Sequence, residues 1–280
     1  MTLPPRLVPQ LGPAAWSGAA LAPADWMIPV GAEVVAELAE ADPARRPHLQ
    51  GILQTVAERL EQGHGFCLLR GLALEAPEAA LLALGSQLGT PLPQNAAGLL
   101  VGELGGNTRF QADPADAVAT LCLQQPPEGG SLTLVAAAAL HNALLKSDRA
   151  ALAVLHREFP HGDPAAPTPL PVLGTAEGAF FGRYDPEALI EAALDPAQAE
   201  ALAALDAAAE APGQALTLPL HTGDLLFHNP QLVWLRLGAA MPGRRLLRLW
   251  LAMPEARPLP EGFRRILRES AAAPASMVGG

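Results

Sequence analysis

Asp113 and Asp116 lie three residues apart in the run RFQADPADAVATLCL, and their types and spacing could do chemistry. Two carboxylates so placed can divide general acid and general base work, one holding a proton that the other receives. As turn and strand-start residues they need do no more than bind backbone N–H groups. Gln111 adds an amide oxygen two positions before Asp113, a weaker metal donor than imidazole. The chain has 7 histidines. His48, His64, His156 and His161 fall on helix surfaces, termini or loops, and His141 lies on a helix face in ALHNALL. His221 precedes the Gly223-Asp224 turn, and His228 stands just after a run of apolar residues. No helical segment pairs any of them with a second histidine or a carboxylate at the i, i+4 spacing that builds a zinc site. Ser131 follows Gly129-Gly130 but lacks the Gly-x-Ser-x-Gly elbow of a nucleophile. The LGGN stretch is too short to cradle phosphate and carries no lysine.

These residues must be held by a chain of 280 residues, enough for one substantial domain with its own core. Half of the residues are hydrophobic and 16% are charged, the composition of a folded chain. A net charge of −10 argues against nucleic acid as a partner, since phosphates need basic surface. No apolar run reaches the length of a membrane span, and no charged-then-apolar leader opens the chain. Cys67 and Cys122, each inside an apolar run, are expected to be buried free thiols of a cytoplasmic protein. Abundant Ala and Pro, with Arg favoured over Lys, suggest a GC-rich bacterial genome.

Residues 1–30, rich in Pro and Trp, predict an extended arm, residues 31–262 a single domain and residues 263–280 a tail. An amphipathic helix is expected from Asp42-Pro43 to Gly63, with Leu49, Ile52, Val56 and Leu60 on one face. GFCLLRGL then predicts a buried strand, residues 77–88 a second helix and 117–123 another strand. PPEGGSL predicts a turn, AAAALHNALLKSDRAALAVL two short helices, and FPHGDPAAPTPLPVL a loop. Residues 196–211 form an Ala-rich helix, and the final third is strand–turn–strand material. Helices early and strands late, without βαβ alternation, predict an α+β arrangement.

In order along the chain, GHGFCLLRGL, LGTPLPQNAAG, FQADPADAVATLCL, EGGSLTLVAAAALHNALL, GDLLFHNPQLVWLRL and GRRLLRLWL resemble the TauD/TfdA family of iron(II)- and 2-oxoglutarate-dependent dioxygenases. The resemblance implies a double-stranded β-helix, a jelly-roll or cupin-like barrel with flanking helices and a site in its mouth. It also implies a metal triad of two histidines and one carboxylate, with a basic residue on the last strand for the distal carboxylate of 2-oxoglutarate. Residue by residue, the family's His-x-Asp step is Gln111-Ala112-Asp113, so the carboxylate stays and the imidazole is gone. The pattern Asn-x-x-x-x-His-x-Arg is Asn229 to Arg236, which places Trp234 at the second histidine. Leu132, Ala136 and Ala137 stand where the family has hydroxyl-bearing residues, with Ser131 and Thr133 nearby but out of place. The segment from Gly102 to Gln111 is also short where active relatives carry a longer loop.

The resemblance therefore implies a degenerate site. Asp113 is the one retained ligand position, and His228 can replace a lost ligand only if the chain folds back at Pro230, because six extended residues cover about 20 Å. Trp234 is expected to fill the barrel mouth, and Gln111, Asp113, Trp234 and Asn229 to line a pocket with no assigned catalyst. Arg244 and Arg248 are expected on one strand face as a vestige of the 2-oxoglutarate carboxylate site. The expected function is a non-catalytic binding, regulatory or partner subunit without metal or cofactor, serving an unknown small molecule or protein. The alternative is an active enzyme: a dioxygenase using Fe(II) and 2-oxoglutarate at a rebuilt site, or a metal-free catalyst. Self-association is the default expectation from the family.

Overall fold

A computed structural model describes residues 7–265 except 39, 41, 73, 96, 127 and 129. Most of the tail expected over 263–280 therefore lies outside the described residues, as does part of the PPEGGSL turn.

The elements run α1 (Pro23–Trp26), β1 (Met27–Pro29), α2 (Ala32–Leu38), α3 (Pro47–Glu61), β2 (Phe66–Arg70), α4 (Pro77–Leu88), β3 (Thr90–Leu92) and β4 (Val101–Glu103). β5 (Ala117–Gln124), β6 (Ser131–Ala136), α5 (Ala137–Ser147), α6 (Arg149–Leu155), β7 (Glu158–His161), β8 (Thr168–Pro171), β9 (Leu173–Ala176) and β10 (Ala179–Gly182) follow. The chain closes with α7 (Pro196–Ala209), β11 (Leu216–Pro219), β12 (Leu225–His228), β13 (Val233–Arg236) and β14 (Arg245–Ala252).

Seven strands form one sheet in the order β1-β2-β12-β5-β14-β3, with β4 also on β14, and a three-stranded sheet runs β11-β6-β13. Side chains alternate across a strand, so register decides which residues share a face. On the first face of the large sheet, Cys67, Leu69, Leu225, Phe227, Ala119, Leu121, Leu247, Leu249 and Leu251 pack under α3 and α4. Gly85 of α4 lies so close to that sheet that a Cβ would come 2.3 Å from Leu249 Cδ2. On the second face, Phe66, Leu68, Leu226, Cys122 and Leu246 meet Leu132, Leu134, Ala136, Val233 and Leu235 of the small sheet. Two sheets enclosing that interior, with helices outside, make an α+β double-stranded β-helix.

The arm lies on the domain. Trp16 packs tilted against Phe66 and Trp26 stacks on it, at ring distances of 5.3 and 6.4 Å, and β1 adds to β2 in parallel. At Gly18 a Cβ would sit 2.0 Å from the Ala215 carbonyl oxygen, so only glycine lets the arm reach that backbone. Two expectations are corrected. The helix expected from Asp42 begins at Pro47, after a 3-10 turn at Pro43–Arg45. The residue before a proline is pushed out of the helical region, and Arg46 has φ −121 and ψ 45. The stretch expected as a loop after Phe159 instead pairs as the β7–β8 ribbon, Pro160 opposite Pro169. A two-stranded ribbon has free edges where proline's missing N–H costs nothing, and this hides the strand pattern.

Candidate functional site

Rows of residues run across the interior face of the large sheet. Phe66, His228, Val118 and Trp250 are aligned in register, and Leu68, Leu226, Thr120 and Arg248 form the next row. The rows are apolar on β2, and their polar groups are His228 on β12, Thr120 on β5, and Arg248 and the Trp250 indole on β14. Diagonal neighbours in such rows lie about 7–8 Å apart, so Thr120 is within reach of His228 and Trp250.

Asp113 enters this patch from the loop before β5, where Ala115 N–H donates to the Asp113 carbonyl at 3.0 Å. Its carboxylate accepts from Arg248 Nη1 at 2.6 Å, with the two side chains only 11% and 18% exposed. Arg248 is further fixed by Nε donating to Gln94 Oε1 at 2.9 Å, while its guanidinium lies 4.8 Å from the Trp250 ring centroid. Gln94 is itself oriented by donating to the carbonyls of Arg248 and Leu100 at 2.7 and 2.9 Å. A second guanidinium, the buried Arg183, stands 3.6 Å from Asp185 and also feels the Asp113 charge; burial lowers its pKa. Burial likewise raises that of Asp185, against the lowering pull of Arg183.

His228 is fully buried and faces this group. Burial pushes its pKa down to about 4, opposed by Asp113 and aided by Arg248, so its imidazole is neutral at pH 7. Among the described residues, its Nδ1 and Nε2 have no hydrogen-bond partner, nor have Thr120 Oγ1, Trp250 Nε1 and Arg183 Nε. An unpartnered buried polar group costs about 1–3 kcal/mol.

Gln111 lies at the edge of the small sheet, its N–H and carbonyl both paired with Leu235 at 3.1 Å. Trp234 does not fill the interior as expected. Val233 and Leu235 point inward, so alternation turns Trp234 to the opposite face. There it is fully buried with Phe110, Ala112 and Val135 beneath the α5–α7 layer. Its ring is 5.5 Å from Tyr184, and Nε1 donates to the Gly182 carbonyl at 3.3 Å.

Asn229 builds the β12–β13 turn: its carbonyl accepts from Leu232 and Val233 at 3.0 and 2.9 Å. Its amide donates to Glu61 at 2.9 Å. Arg244 and Arg248 do not share a strand face, because Arg244 precedes β14 and donates to the carbonyls of Leu237 and Ala239 at 3.0 and 3.2 Å. Asp113 and Asp116 are not an acid–base pair either. Asp116 accepts from Met253 N–H at 3.1 Å, and Met253 is roughly 16 Å along the chain from Arg248.

The residues at Asp113 do not fit the iron that the fold implies. Gln111 offers no imidazole, Trp234 faces away, and two guanidinium groups beside the carboxylate oppose a divalent cation. Among the described residues no three His, Cys, Asp or Glu side chains gather to hold a metal ion. Sequence reasoning missed Thr120, Trp250, Gln94 and Arg183. The period of two places Trp250 with Arg248, and that signal could have found it; nothing in FFGRYD marks Arg183 as interior.

Among the solved structures, an asparagine oxygenase in complex with Fe(II), 2S,3S-3-hydroxyasparagine and succinate is similar at 20% identity and TM-score 0.63, over 81% of this chain and 93% of that one. The non-heme iron oxygenase OrfP is similar at 17% identity and TM-score 0.62, over 89% and 99%. OrfP in complex with Fe and alpha-ketoglutaric acid aligns at 18% identity and TM-score 0.59, over 81% and 94%. No curated protein sequence matches. Among the described residues no helix is long and apolar enough to cross a membrane. Residues 21–250 match the family described as taurine catabolism dioxygenase TauD, TfdA family, and the chain belongs to it.

Proposed function

We propose that this family member has given up iron/2-oxoglutarate chemistry and serves as a non-catalytic binding, regulatory or partner subunit, without a resident metal. The observation that carries this reading is the 2.6 Å pair between Asp113 and Arg248. The one retained ligand residue and the one retained anion-binding guanidinium neutralise each other, so neither is left for metal or co-substrate. The relatives' structures contain Fe with succinate or alpha-ketoglutaric acid, and in this chain the matching groups are spent on an internal contact. Its setting is a reducing cytoplasm, in keeping with buried, free Cys67 and Cys122, and its partner is a protein, a small molecule or a second copy of the chain.

A second reading has one observation in its favour: His228 faces Asp113 with both nitrogens unpartnered, as a rebuilt ligand would. Metal analysis of the purified protein, with succinate measured under oxygen in the presence of Fe(II) and 2-oxoglutarate, separates the two. Absence of bound iron and of succinate is expected. A tight iron site that strengthens with 2-oxoglutarate refutes the non-catalytic reading in favour of the rebuilt one.

A further inference from the structure

The interior patch pairs its charges and leaves its neutral groups unpartnered. Arg248 has Asp113 and Arg183 has Asp185, so the four formal charges cancel and a further carboxylate would add an unbalanced one. Trp250 Nε1 can only donate, the Thr120 hydroxyl can donate and accept, and a neutral His228 offers one donor and one acceptor. The complement of that set is an uncharged molecule with a strong acceptor and at least one N–H donor. The rim can be reached from solvent, since Asp113, Arg248 and Asp185 keep 11%, 18% and 21% of their side-chain surface exposed. The unpartnered atoms behind that rim are closed off, so entry needs the Asp113–Arg248 pair to swing aside.

We propose that this patch binds a small uncharged molecule of the primary-amide class without a metal, its carbonyl accepting from Trp250 and the Thr120 hydroxyl and its amide N–H donating to His228. The inference rests on the metal-free reading of the site, and it goes beyond that reading by naming the chemistry of the ligand.

The test is a titration of the full-length, metal-stripped protein with acetamide and, separately, acetate, followed through the indole N–H resonance of Trp250. That resonance is assigned by its loss in Trp250→Phe. Saturable shifts with acetamide at a roughly millimolar Kd are expected. Thr120→Val, which keeps the shape, should weaken binding about fivefold, the loss of one hydrogen bond. His228→Phe should weaken it at least as much, and the remaining amide spectrum reports whether each variant is folded. Saturation by acetate but not acetamide overturns the proposal in favour of an anion site. Saturation by neither, with ordered waters alone joining the unpartnered atoms in a crystal structure, also overturns it. A separate arm with Fe(II) and 2-oxoglutarate tests the metal-free reading by itself: saturation there sinks that reading, whereas failure of acetamide alone leaves it standing.

Discussion

Replacing Asp113 by Asn removes one charge and almost no volume, which makes it the cleanest probe of the interior network. At 2.6 Å between Oδ1 and Nη1, the charge centres lie about 4 Å apart, and at an effective dielectric of 20 their attraction is about 4 kcal/mol. Desolvation offsets part of this, and the residual exposure of both groups screens some of the remainder. What is left behind matters more than what is removed. Without Asp113, the Arg248 and Arg183 charges share a buried region with only Asp185 to balance them. Breaking a buried pair from one side costs about 3–5 kcal/mol, so Asp113→Asn is expected to lose about 2–4 kcal/mol after that discount. Arg248→Met leaves Asp113 facing Arg183 and should lose less, about 1–2 kcal/mol. The assay is urea unfolding of both single variants and of the double variant, with unchanged denaturant slopes. The double variant should be more stable than the sum of the two losses. If Asp113→Asn is neutral or stabilising, Asp113 is not held in a satisfied pair; it is then a carboxylate kept at a stability cost for a function, and the basis of the metal-free reading is gone.

Three further outcomes follow from the same structure. Restoring histidine at both family positions, Gln111→His with Trp234→His, should create no iron site, because the side chain at 234 faces the helical layer; tight iron binding by this variant would falsify that orientation. The single change Trp234→Ala should cost about 3–5 kcal/mol in urea unfolding, as expected for a fully buried indole. The protein should also lose stability in mild acid. Burial holds His228 and His161 at about 4 in the fold, against an ordinary value of 6.5. The unfolded chain therefore binds protons first, and stability that is complete above pH 6.5 drains away toward pH 4. Each histidine accounts for at most about 3 kcal/mol, and His228→Phe should flatten the slope of unfolding free energy against pH in that window.

The large elements were legible because a single period decided them. Residues 77–88 form α4 with the expected bounds, and the Ala-rich helix begins at Pro196 behind an Asp195–Gln198 capping box. LRLWL is β14, its leucines on the helix-covered face. The resemblance assigns ligand positions to Gln111, Asp113 and Trp234, but what those side chains face could not be read from it. That depends on which of Val233, Trp234 and Leu235 the register turns inward, and on where the β12–β13 turn at Asn229 falls. For His228 the sequence offers only a fold-back at Pro230 as a route to Asp113, and it is the pairing with Phe66 and Val118 that carries the side chain into the interior. Arg183 was invisible because its ion-pair partner Asp185 lies only two residues on, a spacing common at surfaces, and only the fold brings the charge of Asp113 near it.

The short strand β1, laid parallel against β2, has a consequence for how the protein stays dispersed. β2 reads FCLLR and is buried along almost its whole length. Stripped of the arm, it would present a row of unpaired N–H and carbonyl groups beside apolar side chains, a template for any passing strand. β1 occupies that row and then ends at Pro29, whose outer edge cannot donate a further hydrogen bond. The Pro- and Trp-rich arm is in this sense a built-in guard against edge-to-edge aggregation, and a chain shortened to begin after Pro29 should precipitate before it unfolds.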